Sequence, residues 1–209
     1  MKIDKNLKNY IEKEIFEIYK NDKCKLINHI NYVIRRSLDF ALNISDANIN
    51  MVYVIAAFHD IGYHINKESH EIISADLFYN DEKMREFFNE EEMITIKEAI
   101  LDHRPKETSP RSIYGKIIRT ADRETSINDT LKRTYKYALK NYPSMTKLDM
   151  INKVHNHLLK KYGNIEPEDS YIKDLEYEQF INTFKRLLND KDKFIKMYFE
   201  VNDINNNLN

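Results

Sequence analysis

Four of the seven histidines in this chain, His29, His59, His70 and His103, fall on faces or ends of segments that otherwise read as apolar. Two aspartates, Asp60 and Asp122, do the same. Burying imidazoles and carboxylates is costly unless each is paired, hydrogen-bonded or bound to a metal. A lone histidine on an apolar face is ordinarily a satisfied core residue; four of them accompanied by two acids form a set with a common chemistry. Neutral imidazole offers a lone pair and carboxylate offers charge, so together they suit one or two divalent transition metal ions. Fe or Mn fits this donor mixture first, with Zn, Co or Ni also compatible, whereas Mg or Ca would call for oxygen donors alone.

The elements that must position these residues read as helices. Residues 2–20 place Ile3, Leu7, Tyr10, Ile11, Ile15, Phe16 and Ile18 at helical spacing, which predicts one amphipathic helix. After Asn21-Asp22 a second helix is expected to about Asn43. One of its faces reads Leu26, His29, Ile30, Val33, Ser37, Phe40 and Ala41, so His29 points inward. A third is expected to start at Ser45-Asp46 and to run through the apolar stretch ending at Phe58. It would carry His59 and Asp60 in its last turn, with Gly62 closing it in the left-handed conformation and a loop from Gly62 to Glu68. The partial negative charge of such a helix end favours a cation.

Ser69 is expected to cap a helix with His70, Ile73, Ser74, Leu77 and Phe78 on its inner face, followed by a short segment with Met84, Phe87 and Phe88. From about Glu90, Met93, Ile96, Ile100 and His103 recur at helical intervals. Pro105 pushes Arg104 out of helical geometry, so His103 also falls in a last turn. Arg104 to Arg111 reads as a polar loop. Ser112 then caps a helix whose face carries Tyr114, Ile118, Ala121, Asp122 and Thr125. Further helices are expected near 128–141, 146–162 (stopped by Gly163) and 170–200, the last broken around Asn189-Asp190, with a frayed tail from Asn202.

Three glycines and four prolines in 209 residues leave few turn residues for a sheet protein, so an all-α bundle is expected. No linker or repeat interrupts the chain, and a single domain is expected over 1–209: a motif region at about 26–124, additional helices over 125–201, and a tail. The 33 basic and 34 acidic residues give a net charge of −1 and no electrostatic footprint for nucleic acid. Nothing approaches membrane-spanning length, and Met1 to Tyr10 is too polar for a signal peptide, so a cytoplasmic location is expected. The one cysteine, Cys24, has no partner for an internal disulfide. His64 and Lys67 read as exposed loop residues, and His155 and His157 as packing or surface. The aromatics of the last helices fit a core stripe and are also compatible with a homodimer face.

In chain order, His29, then His59-Asp60 within HDIG, then Asp122 at the end of IIRTAD resemble the HD superfamily of metal-dependent phosphohydrolases. His70 opening HEIISA and His103 closing EAILDH add two histidines. The pattern is then similar to the dinuclear branch, as in the symmetrical dinucleoside tetraphosphatases and the cyclic-di-GMP-cleaving relatives. Where the tetraphosphatases carry a Thr/Gly-containing segment after the second of these histidines, this chain has Arg104 to Ser112.

The resemblance spans roughly residues 26–124. It implies that His29, His59, Asp60 and Asp122 hold one ion and that His70 and His103 hold a second, with Asp60 bridging. It further implies hydrolysis of a phosphoester or phosphoanhydride of a nucleotide-like substrate by a metal-activated hydroxide, with His59, Asp60 and Arg104 as the catalytic group. Arg104, Lys106, Arg111 and Arg123 are the candidate phosphate contacts, because a guanidinium presents paired donors to phosphate oxygens. Two other readings share the ligand set: a non-catalytic, metal-stabilised signalling or scaffold domain, and an HD-type di-iron oxygenase.

Overall fold

The computed structural model describes residues 2–21, 26–104, 109–166 and 171–203. They contain no strand, and the fold is all-α. Two compact units are present, Met1–Arg123 and Glu124–Asn209. The division falls where the ligand-bearing segments end and the C-terminal helices begin. Cys24 and Lys106 lie outside the described residues.

Unit 1 opens with α1 (Lys5–Tyr10), a wide π-helical turn (Ile11–Ile15) and α2 (Phe16–Asn21), where a single regular helix was expected. The apolar spacing explains the difference. Leu7, Ile11, Ile15 and Tyr19 are all buried and stand four residues apart. In an α-helix each step of four overshoots a full turn by about 40°, so the stripe would wind away from the core. Widening one turn brings it back.

The helix α3 (Ile27–Ala41) packs against α4 (Ile49–Phe58), which is the centre of the unit and also touches α5 (His70–Tyr79), α6 (Glu90–Asp102) and α7 (Ile113–Ala121). Every residue from Met51 to Gly62 is buried. That accounts for an apolar run with no polar face. The start of α4 is Asn48, not Ser45-Asp46: the Asn48 side chain accepts the Asn50 amide at 3.0 Å. At α5, Ser69 makes no capping hydrogen bond, while at α7 the Ser112 hydroxyl accepts the Gly115 amide at 3.2 Å as expected. A reciprocal Asn89–Glu92 capping box starts α6 after a 3-10 turn at Glu82–Glu86.

Gly62 is the main local correction. It does not adopt the left-handed conformation, and the backbone continues in turns from His59 to Ile65. What demands glycine is proximity. A Cβ at this position would stand 2.8 Å from the Ile73 Cβ and 2.9 Å from the His70 carbonyl. The missing side chain lets the turn after α4 lie directly on α5, and the Gly62 amide donates to the Ser74 hydroxyl at 2.9 Å.

Unit 2 holds α8 (Ile127–Asn141), α9 (Lys147–Tyr162), α10 (Leu175–Asn189) and α11 (Lys191–Val201). The expected break is present: Asp190 ends α10 and caps α11. Phe180, Phe184, Phe194, Tyr198 and Tyr162 are buried together, with Tyr162 edge-on to Phe180 at 5.7 Å. These aromatics form a core; Tyr171 stays exposed.

Candidate metal centre

Each candidate ligand sits at a helix end or in a first turn of unit 1. His29 is in the first turn of α3, and His70 is the first residue of α5. His59, His103 and Asp122 are the residues that close α4, α6 and α7, and Asp60 follows His59. Three helix C-termini therefore converge here, each with carbonyls left over from the last turn. Such carbonyls orient the His59 and His103 rings, and the Lys67 carbonyl, just ahead of α5, orients His70. His59 Nδ1 donates to the Ala56 carbonyl at 2.9 Å, His70 Nδ1 to Lys67 at 2.8 Å and His103 Nδ1 to Ile100 at 2.6 Å. A carbonyl only accepts, so in all three rings the proton is on Nδ1. The Nε2 atom of each is turned to the common centre.

Six residues meet there in two groups, His29–His59–Asp122 and Asp60–His70–His103. In the first, His29 Nε2 is 3.4 Å from His59 Nε2 and 3.0 Å from Asp122 Oδ1. Asp60 Oδ2 is 3.6 Å from both His29 Nε2 and His59 Nε2. In the second, His70 Nε2 is 3.0 Å from His103 Nε2, and Asp60 Oδ1 is 3.1 Å and 3.6 Å from the same two atoms. The two oxygens of Asp60 thus face different groups. Donors about 2.1 Å from one ion stand about 3.0 Å apart at right angles and about 3.4 Å apart at tetrahedral angles, so these spacings fit a shared cation in each group.

Exposure separates the two groups: the His29 side chain is 35% and Asp122 25% exposed, against 10% for His70 and 1% for His103.

The electrostatics also call for positive charge. Burial opposes a charged His59, yet Asp60, Asp122 and the Ala56 carbonyl outweigh it and raise the ring to about 9. Burial alone would raise Asp60; His59, His70 and His103 instead hold it near 2. Desolvation would raise the partly covered Asp122 as well, yet His29 and His59 keep it well below the usual carboxylate range. Burial, reinforced by the charge on His59, pushes His103 down to about 4. In the absence of an ion, protons on one part of the set stabilise the carboxylates. Such a donor set fits a divalent cation.

The candidate phosphate contacts are placed unequally. Arg104 adjoins His103, donates to the Glu68 carbonyl and pairs with the buried Glu71 at 3.1 Å. Arg111 faces Asp102, donating through Nε at 3.1 Å and Nη2 at 2.8 Å, and its amide reaches the same carboxylate at 2.7 Å. Arg123 is half-buried beside Asp122. His64 and Lys67 are exposed, as expected for the loop.

Sequence reading missed three side chains that hold the ligand-bearing helix ends: Tyr19, Arg36 and Arg119, all buried. Arg36 carried a usable signal, since it lies seven residues after His29 and therefore on the same face of α3.

Residues 26–127 match the family model described as HD domain. No match was found among curated proteins or among solved structures.

Proposed function

Through residues 26–127 the chain belongs to the HD-domain family, and on that premise we propose that it hydrolyses a phosphoester or phosphoanhydride bond in a nucleotide-like phosphorylated small molecule. The observation that supports this most directly is the Asp60 carboxylate, whose two oxygens serve two separate groups of imidazole and carboxylate donors. Divalent ions held there would supply hydroxide near neutral pH and positive charge beside the phosphoryl oxygens.

The chain's own residues do the rest. His29, His59 and Asp122 would hold one ion and His70 and His103 the other, their Nε2 lone pairs fixed by the backbone carbonyls behind three of the rings. Asp60 would keep the pair at a constant separation. Arg104 and Arg123 adjoin ligand residues and are proposed to receive the phosphate oxygens. Lys106 is proposed to join them. Arg111, paired with Asp102, contributes by holding the chain just ahead of α7 to the end of α6.

Protein purified without chelator is expected to contain transition metal and, with Mn or Fe, to release phosphate or a nucleotide from one member of a defined panel. The panel comprises mono- and dinucleotides, dinucleoside polyphosphates, guanosine tetraphosphate and a chromogenic phosphodiester. Metal bound with no hydrolysis at any loading overturns the hydrolase reading in favour of a metal-stabilised scaffold. Oxygen-dependent loss of substrate without phosphate release overturns it in favour of an oxygenase.

A further inference from the structure

Three side chains outside the ligand set reach the carbonyl ends of the helices that carry it. Arg36 is 2% exposed, with the rings of Tyr32 and Phe40 near its guanidinium at 5.5 and 5.4 Å. Its Nη1 donates to the carbonyls of Ala121 at 2.7 Å, Thr120 at 3.2 Å and Arg123 at 3.4 Å, which surround Asp122. Arg119 is also buried; its Nε donates to the Asp102 carbonyl at 2.7 Å and its Nη2 to the Arg104 carbonyl at 3.2 Å, on either side of His103. The Tyr19 hydroxyl donates to the Ala57 carbonyl at 2.9 Å, just before His59 and Asp60.

We propose that Arg36 and Arg119 are positioning residues, each setting the ion affinity of one half of the centre. Arg36 governs the His29–His59–Asp122 half, and Arg119 governs the Asp60–His70–His103 half. The inference rests on the two-ion reading above.

Its physical basis is the connectivity. Arg36 shares α3 with His29 and grips the end of α7 that bears Asp122, so it fixes the one helix against the other and with it the 3.0 Å separation of His29 Nε2 from Asp122 Oδ1. Arg119 grips the end of α6 that bears His103, whose Nε2 must stay 3.0 Å from that of His70. A planar guanidinium can hold several diverging carbonyls in one geometry, whereas a lysine ammonium keeps the charge and loses the fork. A burial role without this function would lower stability and leave the two halves equally affected.

The test is Co(II) uptake by the full chain, followed by absorption spectra and calorimetric titration. Wild type is compared with Arg36→Lys, Arg119→Lys and Tyr19→Phe. His29→Ala and His103→Ala serve as references, each isolating the signal of the opposite half. Arg36→Lys is expected to weaken the half that His29→Ala removes by about 10–100-fold, the usual effect of losing an outer contact to a ligand, and to leave the other half unchanged. Arg119→Lys should do the reverse. Tyr19→Phe should weaken both halves, since α4 supplies His59 to one and Asp60 to both.

Thermal unfolding of the metal-free variants reports folding separately. Parallel weakening of both halves by either lysine variant, or unchanged uptake by a folded one, overturns the assignment. Should Arg36→Lys not fold, Arg119→Lys and Tyr19→Phe decide: the proposal falls unless the first is selective and the second is not. If wild type takes up a single ion, the two-ion reading falls. The clamp inference then survives only if the lysine variant that weakens uptake matches the histidine variant that abolishes it.

Discussion

Both units bury histidine, and they leave its Nε2 in opposite circumstances. In unit 2, His155 Nε2 meets the Leu188 carbonyl at 2.8 Å, and its ring lies against Phe194 at 4.8 Å. Its polar need is met by the backbone and its ring by the core. In unit 1, His59, His70 and His103 use Nδ1 in that same manner, on a carbonyl three residues back, and then turn Nε2 toward other nitrogens and toward carboxylates. Burial alone therefore does not mark a ligand. What sets the candidate ligands apart is an Nε2 that faces other imidazoles and carboxylates instead of a backbone acceptor.

The comparison can be broken most decisively at Asp60. Asp60→Asn keeps the shape and removes the charge that both groups use, so both ions should be lost. Turnover should fall by about 10³-fold or more, as when one member of a cooperating catalytic set is removed. Metal analysis and phosphate release check this; a variant that retains two ions would separate Asp60 from the bridging role.

The complementary change is His155→Ala. It deletes a packed ring and leaves the Leu188 carbonyl without its donor, for a loss of about 2–4 kcal/mol read from the urea midpoint. Metal content should not change. A drop in bound metal in this variant would erase the distinction between the two kinds of buried histidine.

Gly62→Ala should act on unit 1 alone. The added methyl meets Ile73 and the His70 carbonyl, which must shift. A cost of about 1–3 kcal/mol is expected from the overpacking. Because His70 moves with the clash, metal affinity should fall as well, which no surface glycine substitution would produce.

The mildest perturbation is a change of pH. In the empty site His59 stays protonated up to about 9, and His70 is raised in the same direction, both supported by Asp60. An ion must displace those protons, so apparent affinity should rise with pH, by about tenfold per unit for each proton released, until the pH passes about 9. His103, already neutral above about 4, adds nothing in that range. The same raised pKa makes charged His59 a stabiliser of the metal-free fold below its unfolded value of about 6.5. That contribution is lost as pH climbs through about 9. Titrations at pH 6.5, 7.5 and 8.5 in buffers of different ionisation heat measure the proton count. A flat profile would mean that the rings enter metal binding already neutral.

Much of unit 1 was legible because its candidate ligands break a pattern: His59 ends an apolar run, His70 and His103 interrupt apolar stripes, and Asp122 does the same at the end of α7. What escaped the sequence lacks such contrast. Arg36 stands beside Arg35, and only its seven-residue spacing from His29 sets the buried one apart from its neighbour, which is half-exposed and paired with Asp39. The π turn follows from a spacing of four sustained over several steps, which a search for ordinary helical periodicity accepts without comment. Gly62 was assigned a conformational reason when the real one is a neighbour distant in sequence. Arg104 and Arg111 stand out in the sequence by their charge, but their acidic partners, Glu71 and Asp102, are held on α5 and α6.

The uneven exposure of the two groups has a kinetic consequence. An ion between His29 and Asp122 borders solvent, whereas one between His70 and His103 lies behind almost fully covered rings. On the proposed two-ion reading the outer ion would be the labile one, first to load and first to be taken by a competing chelator, and the inner one would exchange only as fast as the surrounding helices open. Preparations of this protein would then pass through a half-loaded state on the way to either extreme, with the single ion in the outer position on loading and in the inner one on chelation.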